Sequence, residues 1–301
     1  MFPIIPAASA ADSSNQEGIF GYATTDWSSV TGVTNLVSDA GVVATDVTGV
    51  GTARQMPAAC EYGGDKGIFG YGTTGSVTAV TNLVSNAGVV ATDTTGVGSA
   101  RYGPAACKYG ADKGIFGYGN TGSYVSMTNL VSNAGVVATD TTGVGQTRAL
   151  LAACEYGGDK GIFGYGSGGP GISSVSMTNL VTNAGVVGTD VTGVGTVRQK
   201  LAACGYGYDK GIFGYGNDGV SMTNLVSNAG VVATDTTGVG QARGYLAATQ
   251  YGGDKGIFGY GHGGGGAAHS MTNLVSNAGV VSTDVTGVGT ARWNLAACSF
   301  N

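Results

Sequence analysis

The stretch "YGGDKGIFGYG" occupies residues 62–72, and near-copies of it return at 109–119, 156–166, 206–216 and 251–261. A shortened version, "QEGIFGYA", lies at 16–23. The phenylalanines of these six copies, Phe20, Phe69, Phe116, Phe163, Phe213 and Phe258, are 49, 47, 47, 50 and 45 residues apart. A second marker, "TNLVS" or "TNLVT", has its asparagine at Asn35, Asn82, Asn129, Asn179, Asn224 and Asn273. From each of the first five asparagines to the next phenylalanine is always 34 residues, so all variation in length falls between "GIFGYG" and "TNL". A repeat of roughly 20–50 residues marks a solenoid, a propeller or an array. A constant core with one variable loop means that the core packs on its neighbours and the loop does not.

Each repeat offers four strand candidates, "LAACEY", "KGIFGYG", "MTNLVS" and "VVATDTT", with Gly- and Asn-bearing turns at "YGGD" and "SNAG". Short segments of this spacing, rich in Val, Thr, Tyr and Phe, predict an all-β chain. No apolar period of about 3.6 with caps is present, so no helix is expected. Four strands in each of six units predict a six-bladed β-propeller over residues 17–301. The repeats begin at "GIFGYA" with no "LAAC" before it and finish on "LAACSF". The C-terminal strand is therefore expected to join the N-terminal blade and close the ring. The variable loops fall at roughly 23–33, 72–80, 119–127, 166–177, 216–222 and 261–271.

Residues 1–16, "MFPIIPAASAADSSNQ", lie outside the repeats and read as an extended arm, because Pro3 and Pro6 disfavour helix. "ASA" imitates a signal-peptidase site, but no Lys or Arg precedes it and the apolar stretch is short. Phe2, Ile4 and Ile5 cannot build a core alone, and the arm is expected to attach the protein to another subunit.

Glycine supplies 58 of 301 residues and charged residues only 10%, against about a quarter in ordinary globular chains. So little charge suits a protein packed within an assembly. The net charge is −5, and 11 of the 13 basic residues sit at fixed repeat positions. That leaves no free basic patch for nucleic acid. No apolar run approaches the roughly 18 residues of a membrane span.

Five cysteines, Cys60, Cys107, Cys154, Cys204 and Cys298, take equivalent places in the "LAAC" segments, with Thr249 in the sixth. They lack C-x-x-C spacing and are expected to be reduced, metal-free, small buried side chains facing a narrow axis. Asp–Lys pairs such as Asp65–Lys66 recur in five repeats, which suits structure rather than a single catalytic centre. His262 and His269 stand in one glycine-rich loop with no third ligand. There is no nucleophile elbow, phosphate loop or H-E-x-x-H motif. No unique acid–base group stands out, so neither enzyme activity nor a cofactor is expected.

In one repeat, Arg101, Ala105, Ala106, Ile115, Phe116, Gly117 and Gly119 are followed by Asn129 at the third strand. This order resembles the kelch repeat over residues 17–300, with a tyrosine between the two glycines and "VVATD" where kelch units carry a tryptophan. The near-identity of the copies is also similar to the amplified repeats of marine bacteriophage virion-associated proteins. The resemblance implies a virion protein, assembled in the host cytoplasm, as a decoration, tail or fibre-associated component. Its partners would be other virion proteins, copies of itself, or a host surface glycan. The alternative is a soluble lectin-like or protein-scaffolding kelch-type propeller not associated with a virus. In a four-stranded blade the variable loops and the variable pairs after each arginine share one face. Their aromatic residues Trp27, Tyr102, Tyr124, Tyr245 and Trp293 are the expected binding residues.

Overall fold

The computed structural model describes residues 17–26, 28–169, 171, 173–217 and 219–300. The arm residues Phe2, Ile4 and Ile5 and the loop residue Trp27 lie outside these. The described residues form 20 strands and no helix. In chain order they begin β1 (Gly18–Thr24), β2 (Val30–Val37), β3 (Ala58–Tyr62), β4 (Lys66–Gly70), β5 (Thr81–Val84), β6 (Ala105–Tyr109) and β7 (Lys113–Asn120). There follow β8 (Tyr124–Val131), β9 (Ala152–Tyr156), β10 (Lys160–Gly164), β11 (Thr178–Val181), β12 (Ala202–Tyr206), β13 (Lys210–Gly216) and β14 (Val220–Val226). The last are β15 (Arg243–Gly244), β16 (Ala247–Tyr251), β17 (Lys255–Gly259), β18 (His262–Gly263), β19 (Thr272–Val275) and β20 (Ala296–Ser299).

Six antiparallel sheets share one plan: an inner "AAC" strand, a middle "GIFG" strand and an outer "TNLV" strand. They are β20-β1-β2, β3-β4-β5, β6-β7-β8, β9-β10-β11, β12-β13-β14 and β16-β17-β19, and β15-β18 is a two-stranded seventh. In the second, Ala58 lies opposite Gly70 and Tyr62 opposite Lys66, while Gly67 faces Val84 and Gly70 faces Thr81. In the first, Gly18 faces Ser299 and Gly21 faces Ala296, so the two ends of the repeat array share a sheet.

This corrects the expected propeller of six four-stranded blades, closed by the C-terminal strand. The strands fall in six three-stranded sheets and one of two strands, and no sheet is closed. The "VVATDTT" segments form no strand. Each touches its outer strand only at isolated bridges, Thr81–Thr94 and Val84–Val90 in the second unit. Between those bridges the outer segment carries one more residue than β5, which is a bulge. The Asn82 amide fills the break by donating to Ala91 O (3.1 Å) and to the Asp93 carboxylate (2.8 Å). A side chain thus takes the place of a ladder bond. Because the asparagine recurs in every repeat, so does the break.

The middle strands are shaped by "GYG". Register shifts fall at Gly21/Ala23, Gly117/Gly119 and Gly214/Gly216, and the intervening Tyr22, Tyr118 and Tyr215 have φ of +55°, +63° and +65°. The bulge turns each tyrosine into the gap between sheets. There Tyr71 meets Phe116 of the next sheet edge-on at 5.2 Å, and the Arg101 guanidinium lies 4.0 Å above its ring. Equivalent tyrosine–phenylalanine–arginine stacks fill the other junctions.

The cysteines are turned into the same gaps, not toward the axis alone. A methyl group on Gly114 would lie 2.5 Å from Cys60 Sγ, and the same lock recurs between Cys107 and Gly161. All five thiols are free and buried, and burial pushes Cys204 up to about 12. Sheet-to-sheet closeness therefore depends on a bare α-carbon opposite each sulfur. Gly114→Ala is expected to cost about 1–3 kcal/mol by overpacking. Adding Cys60→Ala should reveal a favourable coupling of about 1 kcal/mol or more in urea denaturation. Simple additivity would show that the sulfur is not the obstacle.

Closure lies between sheets. The inner strands touch in the order β3, β6, β9, β12, β16, β20 and back to β3. Each junction is also tied by a carboxylate: Thr52 N–H and Oγ1 donate to Asp93 of the next unit, and Thr290 donates to Asp46 in the same way.

Candidate functional site

The inner strands run from one face of the ring to the other, so the residues flanking them meet at its axis. On the variable face these are Met56, Gly103, Leu150, Lys200, Tyr245 and Asn294. All six adopt the left-handed region, with φ between +52° and +62°. One is glycine and one asparagine, which tolerate this region, and each of the other four costs about 1 kcal/mol or more in that conformation. A closed circuit of six backbone hydrogen bonds offsets the strain. Met56 N–H donates to Asn294 O (2.7 Å), Gly103 to Met56 and Leu150 to Gly103; Lys200, Tyr245 and Asn294 complete the circle.

This uniform backbone carries six different residues, five of them with side chains, around a cavity of about 70 Å³. Met56 and Leu150 make one side apolar. Opposite them the Lys200 ammonium lies 4.5 Å above the Tyr245 ring, and Asn294 Nδ2 donates to Gln55 Oε1 (2.8 Å). The cavity can therefore hold an anionic or acceptor group beside an apolar one.

Of the aromatic residues singled out by sequence, Tyr102, Tyr124 and Tyr245 fall together. Tyr102 bridges to Asn120, which pairs with Tyr124, and the Tyr124 hydroxyl accepts from Ser167 Oγ (3.2 Å). Burial, with Tyr124 and Tyr245 nearby, raises the Tyr102 phenol. Trp293 is not on the surface. It is 3% exposed, bridges to Thr24 and packs on His262 with ring centroids 5.0 Å apart. Among the described residues no group of three or more His, Cys, Asp or Glu gathers to hold a metal.

The opposite end of the axis holds a cluster that motif reading missed. Lys108 Nζ lies 3.2 Å from both Glu61 Oε1 and Glu155 Oε2. Ser299 Oγ donates to Glu61 (3.1 Å), and Gln250 Nε2 donates to Glu155 (2.6 Å). Gly205 supplies no side chain, and a Cβ there would overlap the Gln250 amide. These residues immediately follow the cysteines or Thr249, at a position that reads Glu, Lys, Glu, Gly, Gln, Ser between near-constant flanks. That contrast was the available signal. One ammonium between two carboxylates, with an amide and a hydroxyl on the outer oxygens, makes a polar plug across the axis.

Burial pushes the Glu61 carboxyl up to about 7, against the pull of Lys108. Burial alone would lower Lys108, but Glu155 and Glu61 hold it above its ordinary value. The folded state thus keeps the Glu61 proton more tightly than the unfolded chain, whose value is 4.5. Stability should fall as pH rises from 4.5 to about 7 and then level off, by about 3 kcal/mol from this group. Burial lowers His269, which acts in the opposite direction within part of that window. Urea midpoints of the parent and Glu61→Gln, compared across this range, isolate the Glu61 contribution. Parallel curves would show that Glu61 does not titrate there.

No protein-family model matches the chain, and no curated protein matches it.

Proposed function

We propose that the protein is a non-catalytic structural and binding component of a phage particle, whose variable face recognises a host surface glycan or a neighbouring virion protein. The carrying observation is the axial cavity of the variable face. Six near-identical units present one strained, hydrogen-bonded backbone ring there, and it bears Met56, Gly103, Leu150, Lys200, Tyr245 and Asn294. A uniform frame with divergent side chains converging on a hollow is suited to discriminating a ligand. The low charge content supports a place within an assembly. The repeated charged residues are also engaged in the frame: arginines stack between sheets, and the Asp–Lys pairs close turns.

The full chain should be screened against glycans and purified virion proteins. A ligand of the variable face should lose roughly 10- to 30-fold in affinity with Tyr245→Ala or Lys200→Ala. It should be indifferent to Tyr208→Ser on the opposite face, where Tyr208 is 71% exposed. Binding that ignores the cavity, or no binding in either class, would overturn the reading. Labelling of intact particles with antibody to the protein tests the virion assignment, and absence from particles would favour a soluble lectin-like role.

A further inference from the structure

The rim of the ring exposes valines at equivalent places in all six units. Val42, Val89, Val136, Val186, Val231 and Val280 follow the "SNAG", "SDAG" or "TNAG" turns, one per unit, and are 62–66% exposed. At the junction of the third and fourth units, Leu130, Val144, Val186 and Val187 line a cavity of about 230 Å³. The same residue types recur at the other junctions, with leucines such as Leu83 and Leu225 and valines such as Val97 and Val239. Isolated exposed valines need no explanation, but a repeated apolar row with a hollow behind it marks a contact surface.

We infer that this rim groove receives the apolar arm "FPIIP" (residues 2–6) of a second copy of the chain. Three observations carry the assignment. The arm belongs to the segment before β1, and that segment is the chain's apolar stretch outside the repeats. Its root is on the correct face: Glu17 O accepts the Phe300 N–H (3.1 Å), and Gly18 faces Val37, immediately before the "SDAG" turn. Third, 11 residues, 7–17, separate that stretch from β1 in the sequence, more than the roughly 4–6 residues that usually connect elements within one compact domain. Eleven residues of extended chain can reach on the order of 35–40 Å. The prolines limit the conformations the arm must give up on docking. One arm leaving each ring and one groove filled on another is a heterologous contact, which builds chains or closed rings of copies. The inference rests on the structural half of the proposed function and is independent of any ligand at the axis.

The test uses the full chain with a photo-reactive phenylalanine analogue in place of Phe2, prepared in equal isotope-labelled and unlabelled portions. Cross-links are expected between portions, landing on residues 128–144 and 184–187 or their counterparts in other units. In sedimentation, self-association should weaken by roughly tenfold or more for Ile4→Ser with Ile5→Ser. The six rim valines changed together to threonine should have a similar effect. Cross-links confined within one portion, cross-links to the axial faces, or a chain that remains monomeric would each overturn the docking. Retention of axial ligand binding in the arm variant would separate this failure from that of the proposed function.

Discussion

A chain ending at Asn294 is expected not to fold. Residues 295–300 supply the inner strand of the first sheet, where Ala296–Ser299 pair with Gly18–Gly21. They also bury Leu295, Cys298 and Phe300, the last completely. Losing Leu295 and Phe300 removes roughly 1.5–3 kcal/mol each, and each ladder bond about 1 kcal/mol. The truncation also breaks the inner-strand circle and takes Ser299 from the plug. The sum rivals the roughly 5–15 kcal/mol that holds a domain together. Far-UV circular dichroism with urea titration provides the measurement. A cooperative transition near that of the full chain would show that the other five sheets stand without the sixth junction.

Arg101→Met should be the most damaging single change considered, by about 3–5 kcal/mol. Arg101 is wholly buried. It donates through Nη2 to Asn129 Oδ1 (2.7 Å) and through Nη1 to Ser99 O (3.1 Å), with its plane over Tyr71. Burial lowers the arginine and raises the tyrosine beneath it. Removing the guanidinium strands Asn129 Oδ1 and Ser99 O and leaves Asp140, 3.9 Å away, without its cation. Arg101→Lys should recover little, because an ammonium can neither stack flat nor reach both acceptors. Urea midpoints for the two variants decide the matter. A loss below about 1 kcal/mol for either would mean that the stack is filler rather than frame.

Much of this architecture was legible in the repeats. The inner, middle and outer strands follow "AAC", "GIFG" and "TNLV" because each carries β-forming residues between glycine turns. The fourth segment misled because "VVATDTT" has the composition of a strand, while its pairing is decided by the side chain of an asparagine in another segment. The role of the cysteines was hidden for a similar reason: Cys60 is explained by Gly114, 54 residues away, and only packing joins them. Tyr102, Tyr124 and Tyr245 stand out in the sequence because they differ between repeats, and the fold brings them near one another. Trp293 stands out on the same grounds yet is buried, since variation does not reveal whether a side chain turns outward. The plug was within reach of the same comparison, but a single changing letter after a cysteine looks like drift until six such letters meet on one line.

The bond from Thr290 to Asp46 differs in no chemical respect from that between Thr52 and Asp93. The join between the last unit and the first is therefore an ordinary joint. Arg292 stacks on Tyr260 as Arg54 does on Tyr22, and Phe300 occupies the place of Tyr62 and its counterparts. At this joint the packing therefore carries no trace of the order in which the units are written.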